Sequence, residues 1–249
     1  MIKKKRQYQI ISHRGRGFGE RENTKSALQE ALASGVDAVE IDVRSTKDNK
    51  LVIWHDKTVR SKRGKKLKLD EISLAKAELN GLMSLKHALR TFKKDSSAHQ
   101  ELQLDLKEIG HEEEIIRLIR RTHVKKVLII SWVPSVLKKF YKLAPEIPLS
   151  LSFTPKMRTI LRNDTPIWPA LRLPAIIRKR EVPLRSANLV PIALPLSASI
   201  VWRLLAFGVE PIIVNADSIY QNEKYRYIGV AGTMTNEPED LLKHYKKKN

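Results

Sequence analysis

Residues 10–43, IISHRGRGFGERENTKSALQEALASGVDAVEIDV, decide the fold that this chain is predicted to adopt. Two apolar runs of strand length flank residues 24–34, whose apolar side chains recur at the spacing of a half-buried helix. Thr24 is placed to cap the start of that helix, and Gly35 follows its last residue. The stretch therefore predicts a strand, a helix and a second strand that form one βαβ unit.

The same alternation continues along the chain. Nine apolar runs have the length of strands, at residues 9–12, 38–43, 51–54, 102–106, 126–130, 148–153, 188–194, 210–215 and 227–232. Helical patterns lie between many of them, at residues 24–34, 82–93, 111–122, 135–143, 197–207 and 238–245. Strands that alternate with helices indicate a parallel sheet, and the 249 residues of the chain match the usual size of one (β/α)8 barrel.

Nine predicted strands are one more than the barrel needs. Residues 47–50, KDNK, separate two apolar runs and contain an Asp-Asn turn signal, so the run at 51–54 is predicted to fold back antiparallel on the strand before it. No repeat or linker divides the chain. We therefore predict a single-domain α/β protein over residues 1–249, a TIM barrel with a short antiparallel hairpin near its second strand.

Residues 156–185 are the least regular part of the sequence and predict an irregular basic and apolar insertion within the barrel. The segment combines seven Lys or Arg side chains at 155–180 with Trp168, Leu171, Leu173, Ile176 and Ile177. Such a mixture suits reversible contact with an anionic membrane. The alternative is that its apolar residues cover the outside of the barrel or line its mouth.

Composition limits the chemistry and the partners. The chain has no cysteine, so a metal would be held by oxygen or imidazole ligands. Its formal charge of +20 favours anionic partners, among them phospholipid head groups and phosphorylated small molecules, but does not make nucleic-acid binding the favoured function. We find neither a signal peptide nor an apolar stretch of about 20 residues, which predicts a cytoplasmic protein.

Four groups of polar residues follow predicted strands, where barrel enzymes carry their active sites. His13 and Arg14 directly follow the first strand, and they could move a proton and bind a phosphate. Glu40 and Asp42 are two apart on the second strand, so their carboxylates face the same side and call for a cation between them. His55 follows the hairpin strand.

The fourth group is Asp105 and Lys107, at the end of the apolar run 102–106. A carboxylate and a lysine on one face suit a site that must bind a metal and neutralise a phosphate. Each group alone is weak evidence, because a surface histidine or a solvated pair of carboxylates is common. Four such groups at successive strand ends predict one site.

The stretch from His13 to Thr58 resembles the N-terminal signature of the glycerophosphodiester phosphodiesterase family, which runs HRG, ENT, ExDV, TxDG and HD. The matching residues are His13-Arg14-Gly15, Glu22-Asn23-Thr24, Glu40, Asp42-Val43, Thr46, Asp48 and His55-Asp56. Weaker matches follow in order at LQLDLK, SW at 131–132, VNAD at 214–217 and TNEP at 235–238. The resemblance therefore covers nearly the whole chain.

The resemblance implies a metal-dependent phosphodiester hydrolase that acts on a small glycerophosphodiester. It assigns the roles residue by residue: Glu40, Asp42 and Asp105 as ligands of Ca²⁺ or Mg²⁺, His13 and His55 as the acid/base pair, and Arg14 and Lys107 as phosphate-binding residues. Attack by water and attack by the substrate's own glycerol hydroxyl both remain open, as do the head group and the oligomeric state.

Three positions depart from the family pattern. Asp105 replaces the usual glutamate, Ile212 stands near the place of a usual tryptophan, and Asn236 stands where an aspartate is common. The third ligand is similar to that of the sphingomyelinase D type lipid hydrolases, which points to a lysophospholipid as an alternative substrate. A non-catalytic barrel that binds membranes or nucleic acid is a further alternative, against which the retained His13 and His55 argue.

Overall fold

The computed structural model describes residues 8–17, 19, 21–153, 173–189 and 198–246. Its strands, in chain order, are β1 (Gln9–Ser12), β2 (Ala38–Ser45), β3 (Leu51–Ile53), β4 (Thr58–Arg60), β5 (Lys66–Lys68), β6 (Met83–Ser84), β7 (Glu101–Leu106), β8 (Val127–Ser131), β9 (Leu149–Ser152), β10 (Leu184–Leu189), β11 (Glu210–Val214) and β12 (Gly232–Thr235). Its helices are α1 (Lys25–Ser34), α2 (Leu74–Leu79), α3 (Leu85–Asp95), α4 (Glu112–Thr122), α5 (Pro134–Leu143), α6 (Ala175–Arg178), α7 (Ala198–Ala206), α8 (Ile219–Tyr227) and α9 (Pro238–Lys246).

Eight parallel strands close into a barrel, which confirms the predicted fold. Around the barrel they follow the order β1, β2, β7, β8, β9, β10, β11, β12, and β12 returns to pair with β1. Closure pairs Gln9 with Gly232 and Ser12 with Thr235. Because every barrel strand runs in the same direction, the carboxyl ends of β1, β2 and β7 open on one rim.

The predicted hairpin is also confirmed. β3 pairs antiparallel with β2, with Val43 opposite Ile53, and β6 extends this outer ladder. The turn between them is closed by a hydrogen bond from Thr46 N to Lys50 O at 2.9 Å, and Asn49 adopts a φ of 53°. Asparagine tolerates this left-handed conformation better than most residues. The hairpin brings the chain back to the rim just before His55.

Side chains alternate between two cores. Val39, Ile41 and Val43 point outward from β2 into the large core that lies between the strands and the helices. A smaller apolar cluster fills the inside of the barrel: Ile11, Ala38, Leu128, Ile130, Ile212, Val214 and Met234. Inward-facing positions nearer the carboxyl ends are polar and lead into the rim.

Helix α1 of the first βαβ unit has the predicted N-terminal cap, C-terminal glycine and buried apolar face. The Thr24 side chain accepts a hydrogen bond from Ala27 N, which satisfies one of the free amides at the start of α1. Gly35 ends the helix with a φ of 80°, a conformation that costs glycine nothing. Its apolar face, Ala27, Leu28, Ala31 and Leu32, is buried against the barrel.

One strand prediction is wrong, and another is confirmed only where it overlaps the described residues. Residues 219–227 form α8, so the run at 227–232 is not a strand, and the last barrel strand is Gly232–Thr235. The sixth barrel strand is Leu184–Leu189 rather than 188–194, and residues 190–197 lie outside the described residues. The short elements α2, β4, β5 and β6 were not predicted, because each is too brief to show a periodic pattern.

The segment at 156–185 is only partly described. Residues 156–172 lie outside the described residues. Within the rest, α6 and the start of β10 are regular elements, and Leu173, Ile176 and Ile177 are buried in the large core. These three side chains therefore cover the outside of the barrel, and their predicted contact with a membrane is wrong. None of the helices in the described ranges has the length and apolar character needed to cross a membrane.

Candidate active site

Three carboxylates meet at the carboxyl ends of β2 and β7. Asp42 stands opposite Asp105 in the parallel ladder, and Glu40 lies on the same inner face one step deeper in the barrel. One oxygen from each of the three lies within 4.8 Å of the others. The same-face argument made from the sequence is therefore correct for Glu40 and Asp42, and Asp105 joins them from the neighbouring strand.

Two cations lie among these carboxylates. Lys107 Nζ is 2.8 Å from Asp42 Oδ1 and 2.5 Å from Asp105 Oδ2. Arg14 Nε is 3.1 Å from Asp42 Oδ2. Three carboxylates and two cations leave one unit of negative charge in the cluster when all five groups are ionised.

The pKa values of the three carboxyl groups reflect their burial and the two cations that only partly neutralise them. Burial, followed by the charges of Asp42 and Asp105, raises the pKa of Glu40 well above its usual range. Burial also raises the pKa of Asp105, against the opposing effects of Lys107 and His55. For Asp42 burial acts in the raising direction but is outweighed by Lys107 and Arg14, so its pKa is lowered. The cluster therefore binds a proton more readily than three separate carboxylates would.

The donor set fits a hard divalent cation. Asp42 Oδ1 and Asp105 Oδ1 are buried, and within the described part of the chain neither accepts a hydrogen bond. The Lys107 contact with Asp42 Oδ1 is an ion pair without hydrogen-bond geometry. Buried carboxylate oxygens that lack hydrogen bonds, in a cluster with net negative charge, are what Ca²⁺ and Mg²⁺ bind.

His13 is held deep beside this cluster. The turn at His13–Gly15 places Arg14 at a φ of 57°, and the Arg14 amide donates to Glu40 Oε2 at 3.0 Å. A side chain at Gly15 would come within 3.0 Å of the Ala27 backbone, so only glycine fits there. His13 Nε2 lies 4.0 Å from Glu40 Oε2, and its Nδ1 lies 2.9 Å from Asn236 Oδ1.

The environment of His13 favours a neutral ring. Burial, followed by the charge of Arg14, lowers the pKa of His13 to about 4, although the hydrogen bond with Asn236 acts in the other direction. At neutral pH the imidazole is therefore uncharged. A neutral imidazole can accept a proton, which is the role of a general base.

His55 reaches the same site from the outer hairpin. Its ring is 39% exposed, against 12% for His13, and its Nδ1 lies 2.7 Å from Asp56 Oδ1. Arg44 Nε donates to the His55 carbonyl at 2.6 Å, while Arg44 also pairs with Glu108 at 3.0 Å. His55 is the smallest of the contributions that act on the pKa of Asp105, so the two side chains lie on the same side of the barrel.

Several residues of the site carried no predicted role. Asn23 donates to Asp42 Oδ2 at 2.9 Å and accepts from the Asp42 amide at 3.1 Å, and Glu22 binds Arg14 at 3.0 Å. Both belong to the ENT motif, which could have flagged them. Asn236 and Asp217 stand in the two weaker motifs near the C-terminus, and only the closure of the barrel brings them to His13.

Comparison with known proteins extends these findings. The Glycerophosphoryl diester phosphodiesterase family matches residues 13–239. A glycerophosphodiester phosphodiesterase of Caldanaerobacter subterraneus is 27% identical, and the alignment covers 96% of this chain and 98% of that protein. Lysophospholipase D GDPD3 of Mus musculus is 26% identical over 95% of this chain and 81% of its own length.

Solved structures show the same fold. The glycerophosphodiester phosphodiesterase of Thermotoga maritima superposes with a TM-score of 0.73 at 20% identity and covers 96% of this chain and 98% of its own. A phosphodiesterase of Oleispira antarctica, solved in complex with the product sn-glycerol-3-phosphate, superposes with a TM-score of 0.73 at 19% identity over 96% of both chains.

Proposed function

This chain belongs to the glycerophosphoryl diester phosphodiesterase family, a family of enzymes, and we propose that it hydrolyses glycerophosphodiesters to glycerol 3-phosphate and an alcohol. The observation that carries the proposal is the convergence of Glu40, Asp42 and Asp105 beside His13 on the rim of the barrel. The Oleispira antarctica structure, which holds sn-glycerol-3-phosphate as product, supports the choice of product.

Glu40, Asp42 and Asp105 would hold the divalent cation, Ca²⁺ or Mg²⁺, on which the family generally depends. When bound, the cation supplies positive charge that stabilises the phosphate oxygens in the transition state. Arg14 and Lys107 flank the same carboxylates and would bind the remaining phosphate oxygens of the substrate. Charge that develops on the phosphate is then balanced by fixed groups, without rearrangement of water.

The two histidines divide the proton transfers. His13 is the general base, because its lowered pKa leaves Nε2 free to accept a proton from the attacking oxygen. His55 is the general acid and protonates the leaving alkoxide, with Asp56 holding its Nδ1–H. The same transfers serve attack by water and attack by the glycerol hydroxyl of the substrate, which would give a cyclic phosphate.

A lysophospholipid is the second candidate substrate. The mouse lysophospholipase D is similar over nearly the whole chain, so the family's scaffold accepts a lipid tail in at least one relative. The phosphodiester chemistry is the same for both substrates, since only the group attached to glycerol differs. The residues of the site therefore do not distinguish them, and a direct comparison of rates is needed.

Reversible contact with an anionic membrane is part of the proposal for lipid substrates. Trp202 on α7 and Tyr220 and Tyr227 on α8 are exposed, at 63%, 77% and 92%. Exposed aromatic rings on a chain with a net charge of +20 suit the interface of an anionic bilayer. Co-sedimentation with vesicles rich in phosphatidylserine should be strong at low salt and weak at high salt. No binding at low salt, or unchanged binding by a variant with all three rings replaced by Ser, would contradict it.

The activity itself is tested with the purified full-length chain. Glycerophosphocholine, glycerophosphoethanolamine and lysophosphatidylcholine are incubated with Mg²⁺, with Ca²⁺ and with chelator, and the released alcohol and phosphomonoester are measured. We expect metal-dependent release of glycerol 3-phosphate from the first two. The matched control is Glu40→Gln, which keeps the shape of the side chain and removes its charge. Absence of hydrolysis of all three substrates with either metal would overturn the proposal.

A further inference from the structure

A chain of hydrogen bonds leads from His13 to a carboxylate that does not face the metal-binding cluster. Asn236 follows β12, and Asp217 follows β11, the neighbouring barrel strand. The Asn236 side chain bonds to His13 Nδ1 with its oxygen, at 2.9 Å, and to Asp217 Oδ2 with its nitrogen, at 3.0 Å. Asn236 therefore links Asp217 to His13.

Asp217 is itself fixed by the backbone of the same loop. Its Oδ1 accepts from the Asn236 amide at 2.8 Å and from Thr235 Oγ1 at 2.8 Å. Both carboxylate oxygens are therefore occupied by donors from β12 and the residue after it. An ionised carboxylate can only accept hydrogen bonds, so it must face the amino group of Asn236 and not its carbonyl.

The orientation of Asn236 decides which nitrogen of His13 carries the proton. With its amino group bound to Asp217, Asn236 presents its carbonyl oxygen to His13 Nδ1. A carbonyl oxygen can only accept, so Nδ1 must carry a hydrogen. The lone pair of the neutral ring is then on Nε2, the nitrogen that faces Glu40 at 4.0 Å.

We infer that Asp217 and Asn236 are positioning residues that hold His13 in the tautomer with a basic Nε2. The inference rests on the proposed function, in which His13 Nε2 accepts the proton from the attacking oxygen. It also gives a reason for asparagine at position 236. An aspartate there would bring two carboxylates to 3.0 Å from one another, because Asp217 already occupies the neighbouring position.

The critical variant is Asp217→Asn. The side-chain oxygen of the new asparagine must still accept hydrogen bonds from the backbone amide of Asn236 and from Thr235 Oγ1. Its side-chain amino group then faces the side-chain amino group of Asn236, and two donors cannot bond to each other. Asn236 then turns its own amino group toward His13, and the imidazole proton moves to Nε2. We expect kcat to fall by about 10–100-fold while KM changes by less than about threefold, as for loss of a tautomer rather than of binding.

The swapped double variant, Asp217→Asn with Asn236→Asp, restores the pattern. The amide at 217 donates to the carboxylate at 236, which again offers an acceptor to His13 Nδ1. Asn236→Asp alone keeps an acceptor at His13 Nδ1 but sets two carboxylates 3.0 Å apart, and their repulsion should displace the side chain at 236 and lower kcat. We expect the double variant to recover kcat to within about threefold of the original chain, a non-additivity expected only of groups in direct contact.

The tautomer is read directly from the ¹⁵N chemical shifts of the imidazole in the Mg²⁺-loaded full chain, with the His13 signals assigned from a His13→Gln variant. We expect Nδ1–H in the original chain and in the double variant, and Nε2–H in Asp217→Asn. Asp240→Asn, which removes a carboxylate from the exposed face of α9, is the matched control and should change neither spectrum nor rate.

Two results would overturn the inference: an Nδ1–H tautomer that persists in Asp217→Asn, or a double variant no more active than the single ones. If Asp217→Asn alone does not fold, the rates of Asn236→Asp and of the double variant decide, because a double variant no more active than Asn236→Asp overturns the inference. The spectra are independent of turnover. A chain that hydrolyses no phosphodiester would therefore refute the proposed function, while the tautomers would still decide the role of Asp217.

Discussion

His13 and His55 lie on the same side of the barrel as the carboxylate cluster, but different structural elements hold them. His13 follows barrel strand β1, is 12% exposed, and is held through its ring by Asn236. His55 follows the outer hairpin, is 39% exposed, and is held through its own carbonyl by Arg44. Burial keeps the ring of His13 neutral, whereas the ring of His55 is open to solvent. The two supports therefore differ in burial and in the part of the histidine that they hold.

The largest expected effect comes from removing the metal, because the proton transfers proposed for both histidines act on the phosphodiester that the metal would hold. Excess chelator should abolish measurable phosphodiesterase activity, because Glu40, Asp42 and Asp105 carry net negative charge beside the phosphate once the cation is lost. Activity is measured before chelation, after it, and after Mg²⁺ or Ca²⁺ is added back. Full turnover in chelator would show that the cluster has no catalytic metal.

Replacing either histidine tests directly whether that residue takes part in catalysis. His13→Ala and His55→Ala should each lower kcat by about 10²-fold or more, the usual contribution of a positioned acid or base. The losses should be far from additive in the double variant, because the two residues act in one cycle of proton transfer. His87→Ala on α3, outside the site, is the control. Turnover close to that of the original chain in either single variant would remove that histidine from the mechanism.

The support of His55 can be weakened while the ring is left intact. Arg44→Lys loses the hydrogen bond to the His55 carbonyl and the planar contact with Glu108, and should lower kcat by about tenfold, the value of one charge-assisted hydrogen bond. Arg120→Lys changes a similar ion pair on an exposed surface and should have no effect. Equal rates for both variants would mean that Arg44 does not position His55.

A smaller change is expected where the cluster departs from the family pattern. Asp105→Glu restores the ligand that the family commonly uses, so the chain should fold and remain active while its preference between Mg²⁺ and Ca²⁺ shifts, by a few-fold on the scale of a single ligand change. Calorimetric titration of both metals measures this. Unchanged affinities for both would place Asp105 outside the metal's ligands.

The smallest expected change is in the pH profile. A base whose pKa is lowered to about 4 stays deprotonated, and thus active, until the pH falls through that value. Between pH 7 and pH 5, the neutral fraction of His13 should fall by about a tenth, whereas that of an ordinary histidine with a pKa near 6.5 would fall about 25-fold. kcat/KM is measured at saturating metal across this range. An acid limb near pH 6.5 would show that burial does not govern His13.

Much of the active site could be predicted from the sequence because its groups sit at the ends of regular elements. Glu40 and Asp42 share a face through the two-residue repeat of a strand, and Asp105 pairs with Asp42 because consecutive parallel strands align. The hairpin turn at residues 47–50 was sufficient to place His55 on the rim. These are local signals, and in the structure Glu40, Asp42 and Asp105 do lie together on one rim.

The last strand shows where local signals fail. Gly232–Thr235, GTMT, is fully buried but has few large apolar residues, so apolar character favours the neighbouring run at 227–232 instead. A capping box of Ser218 and Gln221 marks the helix that covers the start of that run. Small and hydroxyl-bearing side chains suit β12 because it closes against β1, where Gln9 lies within 2.7 Å of a Cβ at Gly232.

The sequence by itself determined the barrel, the strand ends that carry His13, Glu40, Asp42 and His55, and the chemistry those residue types allow. The tertiary structure decided how each group is held. His13 and Asn236 are 223 residues apart, and no local pattern records a hydrogen bond between the first and the last strand of a closed sheet. Burial likewise depends on the whole fold, so only the folded barrel lowers the pKa of His13 and leaves its ring neutral.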